Sequence, residues 1–202
     1  MPANFCRAPL SPIHLHITLI HHAMKHLLST ATLAAAILGL TCCDSKPAGA
    51  GSSAPQPAGN QAGAKELLSA FVKPGADLKA LSAALKPDTA DYKAVFAGDF
   101  AAKVQAAHAT LWASNPELGP KEGQTEVLLD GVTSTDIKSW SANAADVLPG
   151  GYQGIKDKFN DDLIVYRFKF VKPGEQTGMA FDGLVHVNGK WRIFPKPWRA
   201  AE

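Results

Sequence analysis

The stretch that decides the fold is Gly178-Met179-Ala180-Phe181-Asp182-Gly183-Leu184-Val185-His186-Val187-Asn188-Gly189-Lys190-Trp191-Arg192-Ile193-Phe194. Asn188-Gly189 is the strongest short hairpin signal a sequence offers, because both central positions of the tight turn need positive φ. A two-residue loop fixes the register. Val187 faces Lys190, His186 faces Trp191, Val185 faces Arg192 and Leu184 faces Ile193. Strict alternation then puts Asp182, Leu184, His186, Trp191 and Ile193 on one sheet face. Met179, Phe181, Val185, Val187, Arg192 and Phe194 fall on the other. Both faces are apolar, so either both are covered or one lines a curved, partly open pocket.

Working backwards, Leu163 to Val171 alternates, with Ile164, Tyr166, Phe168 and Phe170 on one face and Arg167 and Lys169 on the other. Thr125 to Thr133 reads as a further strand, interrupted by Gly131. Ahead of it the pattern is helical. Lys65 to Val72 forms a short helix stopped by Pro74-Gly75. Asp77 to Lys86 carries Leu78, Leu81 and Leu85 on one face. Tyr92 to Trp112 repeats apolar residues at helical spacing, and Gly98 can split it in two. Ile137 to Val147 fits one helix, and Tyr152 to Phe159 one or two helical turns. The expected fold is α+β: N-terminal helices packed on a curved antiparallel sheet of about four strands that ends in the Asn-Gly hairpin. Phe71-Val72-Lys73-Pro74-Gly75 recurs as Phe170-Val171-Lys172-Pro173-Gly174, two uses of one stop signal and not a duplication.

The element order and the tip Val187-Asn188-Gly189-Lys190-Trp191 resemble the nuclear transport factor 2-like, cystatin-like group. The resemblance covers about the last third of the domain and implies fold alone.

The N-terminal part has another character. Met24-Lys25-His26 is a short positive region. Leu27 to Leu40 is apolar, too short to cross a hydrocarbon core of about 30 Å comfortably and the right length for a cleaved export signal. Leu40-Thr41-Cys42-Cys43 resembles the lipobox of bacterial lipoproteins. The resemblance implies diacylglycerylation of the Cys43 thiol, cleavage before it and acylation of the new amine. Cys42 stands where a smaller residue is usual, and taking Cys42 as the modified residue would put Gly39 in the Leu position. Several acyl chains anchor stably, where one does not. Asp44 next to that cysteine implies, by the enterobacterial sorting rule, retention in the inner membrane facing the periplasm.

The expected organisation follows. Residues 1–23 are a start-site error or an extended n-region, although they hold His14, His16, His21 and His22. Residues 24–42 are the signal peptide and residues 43–64 a lipid-anchored flexible tether. Residues 65–202 are a single α+β domain. From Ser45 to Ala64 no large apolar side chain is present to offset the entropy of ordering. Every Trp, and every Phe except Phe5, lies beyond residue 64.

Composition narrows the function. The formal net charge of the 202 residues is +2. Of 20 basic residues only Arg7 and Lys25 precede Cys43, and all 18 acidic residues follow it. The remainder is formally neutral, which argues against a nucleic-acid partner. With Cys 3 in all, neither a disulfide scaffold nor a cysteine zinc module can be built. Mean hydropathy is −0.04, unlike a polytopic membrane protein. No His-Glu-x-x-His, phosphate loop or nucleophile elbow occurs, and no cofactor or metal is expected.

Three features could carry chemistry. Asp182 and His186 share the predicted face about 13 Å apart along the strand and could line a ligand or enzymatic pocket beside Trp191. The plainer reading packs His186 on Trp191 as a cross-strand pair. His108 is read as a hydrogen-bonded histidine near the edge of its helix's apolar face. Pro195-Lys196-Pro197-Trp198-Arg199 reads as extended, and Trp198 and Arg199 could anchor an envelope protein partner. Alternatively Trp198 folds back and caps its own core. The expected function is a lipid-anchored, extracytoplasmic binding or assembly module of the bacterial envelope, touching the membrane through Cys43; the alternative is a small-ligand or enzymatic pocket at His186 and Trp191.

Overall fold

The computed structural model describes residues 57–202. The export signal, Cys43 and residues 1–23 lie outside the described residues.

Four helices come first, and a side-chain cap starts each of the first three. Asn60 accepts from the Gly63 N–H at 3.0 Å and opens α1, Gln61–Ser69, which tightens into a 3-10 turn at Ala70–Val72. Asp77 accepts from the Ala80 N–H at 2.9 Å and opens α2, Leu78–Ala84. Asp88 and Asp91 form a capping box on α3, Thr89–Val95. Gly98, at φ +55°, separates α3 from α4, Phe100–Ala113. Asn115, also at positive φ, and Pro116 end α4.

The beginning of α1 corrects the expected tether. Residues 57–64 belong to the folded domain: Ala64 is fully buried, and the Pro57 carbonyl accepts a hydrogen bond from Trp191 Nε1 at 3.0 Å. A segment without large side chains is ordered here by backbone and cap hydrogen bonds.

Strands β1 (Glu126–Thr133), β2 (Ile164–Val171), β3 (Gly178–Val187) and β4 (Lys190–Ile193) form one antiparallel sheet in sequence order. The sheet is not closed into a barrel, and the expected α+β class holds. The hairpin register is the one the Asn-Gly turn predicts, from Val187 opposite Lys190 to Leu184 opposite Ile193.

Between β1 and β2 the expected single helix is two. α5, Ser134–Ser139, is capped by Thr133, and α6, Ala142–Val147, by Ser141. Trp140 at φ +52° ends the first, because its indole turns onto the core while the chain reverses. A 3-10 stretch, Gly150–Lys158, follows.

Both sheet faces are covered. Val132, Val165, Val185, Val187 and Phe194 pack with Tyr92, Phe96, Val104 and Tyr152 on one side. Tyr166, Phe168, Phe170, Leu184, Trp191 and Ile193 pack with Leu68, Phe71, Leu85 and Trp112 on the other. This double cover explains the two apolar faces of the hairpin.

Candidate functional site

The strict alternation expected for β3 fails at Gly183. The pairing shifts there, so that Leu184 opposes Tyr166 but Asp182 opposes Arg167. Gly183 is the extra residue of a bulge, at φ +82°. A Cβ on it would stand 2.2 Å from the Phe194 carbonyl oxygen. N-terminal to this point every side chain changes face. Phe181 joins the Phe168 and Trp191 side. Asp182 joins the Tyr152 side, with its carboxylate accepting from the Tyr152 hydroxyl at 3.0 Å and the Lys196 N–H at 3.1 Å.

The proposed Asp182, His186 and Trp191 pocket is therefore not assembled. His186 and Trp191 are T-stacked at 5.1 Å on the opposite side of the sheet from Asp182. The segment from Pro57 to Asn60 lies over them: Gly59 has room for no Cβ against the His186 ring, and Pro57 satisfies the Trp191 indole. Trp198 is half-buried, 5.0 Å from the Tyr152 ring and close against Gly151, so its apolar surface is spent on its own core. The tail is not extended: Lys196 at φ +50° turns it into a 3-10 helix, Pro197–Ala201. Arg199 is exposed.

The structure instead brings Asp182 and Arg199 together with His108. All three line a cleft of about 440 Å³ between α4, the first half of β3 and the C-terminal segment. Leu111, Leu118, Met179 and Phe181 supply apolar walls, and Lys196 stands with Arg199 as a second cation. His108 lies not at the edge of the α4 face but in the middle of a buried stripe, one helical turn from both Val104 and Trp112.

The hydrogen bonds fix the His108 proton. Nε2 lies 2.9 Å from the Pro195 carbonyl oxygen, which can only accept, so Nε2 carries the hydrogen. Burial depresses the His108 pKa more than that bond restores it, so the ring is neutral. Nδ1 is then an acceptor, and the Tyr92 hydroxyl donates to it at 3.1 Å. Burial pushes the Tyr92 hydroxyl up to about 12, so that donor keeps its proton.

Burial raises the Asp182 carboxyl above its ordinary range. The Lys196 N–H, the Tyr152 hydroxyl and the charges of Lys196 and Arg167 oppose this without cancelling it. Burial and the neighbouring Asp182 carboxylate push the Tyr152 hydroxyl well above its usual value. One Asp182 oxygen holds both internal donors; the other makes no hydrogen bond to a described residue. The imidazole of His108 has both nitrogens engaged, so in this arrangement it holds the C-terminal segment and offers no free base.

A second polar cluster sits outside the cleft. Asp91, 1% exposed, accepts from Arg192 Nε at 2.7 Å, Asn188 Nδ2 at 2.8 Å and the Asp88 N–H at 3.0 Å. It ties α3 to the hairpin. Burial alone would raise its carboxyl, but these donors outweigh burial and hold it below the ordinary value.

Among the described residues no group of three or more His, Cys, Asp or Glu is placed to hold a metal ion. Nor, among them, is any helix long and apolar enough to cross a membrane. No family model, curated protein or solved structure matches this chain.

Sequence reasoning missed Tyr152, Lys196, Leu111 and Leu118 as neighbours of Asp182. The one signal that could have found them is Gly183, an isolated glycine inside a strand pattern, which marks a bulge.

Proposed function

We propose that this protein is a lipid-anchored binding module of the bacterial cell envelope, held outside the cytoplasm by acyl chains on Cys43, with its ligand seated in the cleft between α4 and β3. The cleft is the observation that carries the binding half of this reading. It joins a volume of about 440 Å³ to apolar walls, a carboxylate oxygen without an internal partner and two cations, the usual composition of a ligand site. Binding is favoured over catalysis because His108, the one cleft imidazole, spends both nitrogens on Tyr92 and Pro195. The anchoring half is supported by the run from Met24 to Cys43 and the polar segment after it.

An anionic, environment-sensitive dye tests the cleft. Ala107 is an exposed cleft residue on α4, so Ala107→Trp fills the space from a helix surface without entering the core. The dye should bind one equivalent of the protein and lose that site in A107W at unchanged thermal stability. Equal binding to both proteins would refute the assignment. Metabolic labelling with a palmitate analogue tests the anchor: label should disappear with Cys43→Ala and persist with Cys42→Ala.

A further inference from the structure

The cleft has one wall that a simple pocket lacks. β4 pairs only with Leu184–Val187, so Gly178–Asp182 of β3 has a neighbouring strand on the β2 side alone. Met179, Ala180, Phe181 and Asp182 all line the cleft. Consecutive strand side chains point to opposite faces, so a cleft that touches four in a row runs along the strand's edge. Edge strands are commonly blunted by lysine or proline, and Gly178-Met179-Ala180-Phe181 carries neither.

The charges add direction. Lys196 and Arg199 are exposed, and neither forms an ion pair with another described residue. With neutral His108 and a single carboxylate, Asp182, the cleft is net cationic at the end of the groove formed by the C-terminal segment.

We propose that the occupant is the C-terminal end of a peptide, bound extended along the open edge of β3. Its main chain adds a strand beside Gly178–Asp182. Its last, apolar side chain enters between Leu111, Leu118 and Met179, and its terminal carboxylate meets Lys196 and Arg199. Strand addition draws affinity from main-chain hydrogen bonds and specificity from a side-chain pocket, and an unpaired strand edge lies beside an apolar-walled cleft here. A fatty acid would use the cations and the apolar walls but leave the strand edge unpaired. This rests on the reading of the cleft as a binding site.

The test uses the full chain in detergent and fluorescein-labelled pentapeptides ending in Val-Leu, read by fluorescence polarisation. The free acid should bind saturably. The C-terminal amide, and Arg199→Glu with the free acid, should each weaken binding by about tenfold or more through loss of a charge-assisted contact. Peptides N-methylated on the main chain should lose a similar factor, and A107W should abolish binding. Equal affinity for acid and amide, or no effect of N-methylation, would overturn the proposal. Binding of the dye or of octanoate without any peptide binding would also overturn it while leaving the cleft a ligand site. Failure of dye, octanoate and peptide alike would overturn both readings.

Discussion

Replacing Gly183 by alanine should destabilise the protein far more than its small change in volume suggests. The residue sits at φ +82°, where an L-side chain costs about 1–2 kcal/mol. The new Cβ would meet the Phe194 carbonyl oxygen at 2.2 Å, so one backbone must move away. That movement stretches the 2.8 Å bond from the Phe194 N–H to the Gly183 carbonyl, worth about 1 kcal/mol. It also shifts Asp182 relative to Tyr152 and Lys196, and a buried carboxylate that loses its donors costs about 1–3 kcal/mol more. The expected loss is about 3–6 kcal/mol. Gly189→Ala supplies the control. Gly189 has φ +71° but nothing within 4 Å of a built Cβ, so it should lose only the backbone part, about 1–2 kcal/mol. Urea unfolding followed by tryptophan fluorescence measures both, with similar slopes expected if the unfolded states are alike. If G183A falls within about 1 kcal/mol of G189A, the close approach to Phe194 is not what fixes the bulge, and the placement of Asp182 loses its cause.

Arg192→Met leaves the Asp91 carboxylate buried without its cation and should cost about 3–5 kcal/mol near neutral pH, measured by denaturant unfolding. The Asp91 carboxyl is depressed in the folded state, so its contribution is present above the unfolded value, about pH 4, and disappears as pH falls through the lower folded value; acid titration of stability should show a shallower fall in R192M than in the parent. Tyr152→Phe removes a donor from the buried Asp182 carboxylate, so the Asp182 pKa should rise further, read from its carboxyl carbon by NMR, with a stability loss of about 1–3 kcal/mol. Trp198→Ala should cost about 2–4 kcal/mol in thermal unfolding, less than a fully buried Trp, because the indole is half-buried on Tyr152 and Gly151.

Much of this arrangement was legible from local chemistry. Asn188-Gly189 set the hairpin register because its turn tolerates only one twist. Alternation located β2, and proline and glycine bounded the helices. What escaped was whatever depended on a distant backbone. The bulge at Gly183 exists because the Phe194 carbonyl lies against it, and that contact is invisible in a strand pattern. Moving Asp182 across the sheet took it from the face of His186 and Trp191 to that of Tyr152 and Lys196. The order in residues 57–64 likewise comes from Trp191, far along the chain, and a composition of Pro, Ala, Gly, Asn and Gln gives no hint of it. Trp140 broke its helix by adopting a left-handed conformation that a bulky residue takes only when tertiary packing holds it there.

The carbonyl of Pro57 is the partner of the Trp191 indole nitrogen. A chain trimmed to start at Gln61 would keep every strand and the helices from α2 onward, yet it would take the Asn60 cap from α1, strip the lid from an aromatic pair and orphan a donor. Such a shortened protein would present a bare aromatic face to water at that spot. Any shortened version of the domain therefore has to keep Pro57, four residues ahead of its first helix.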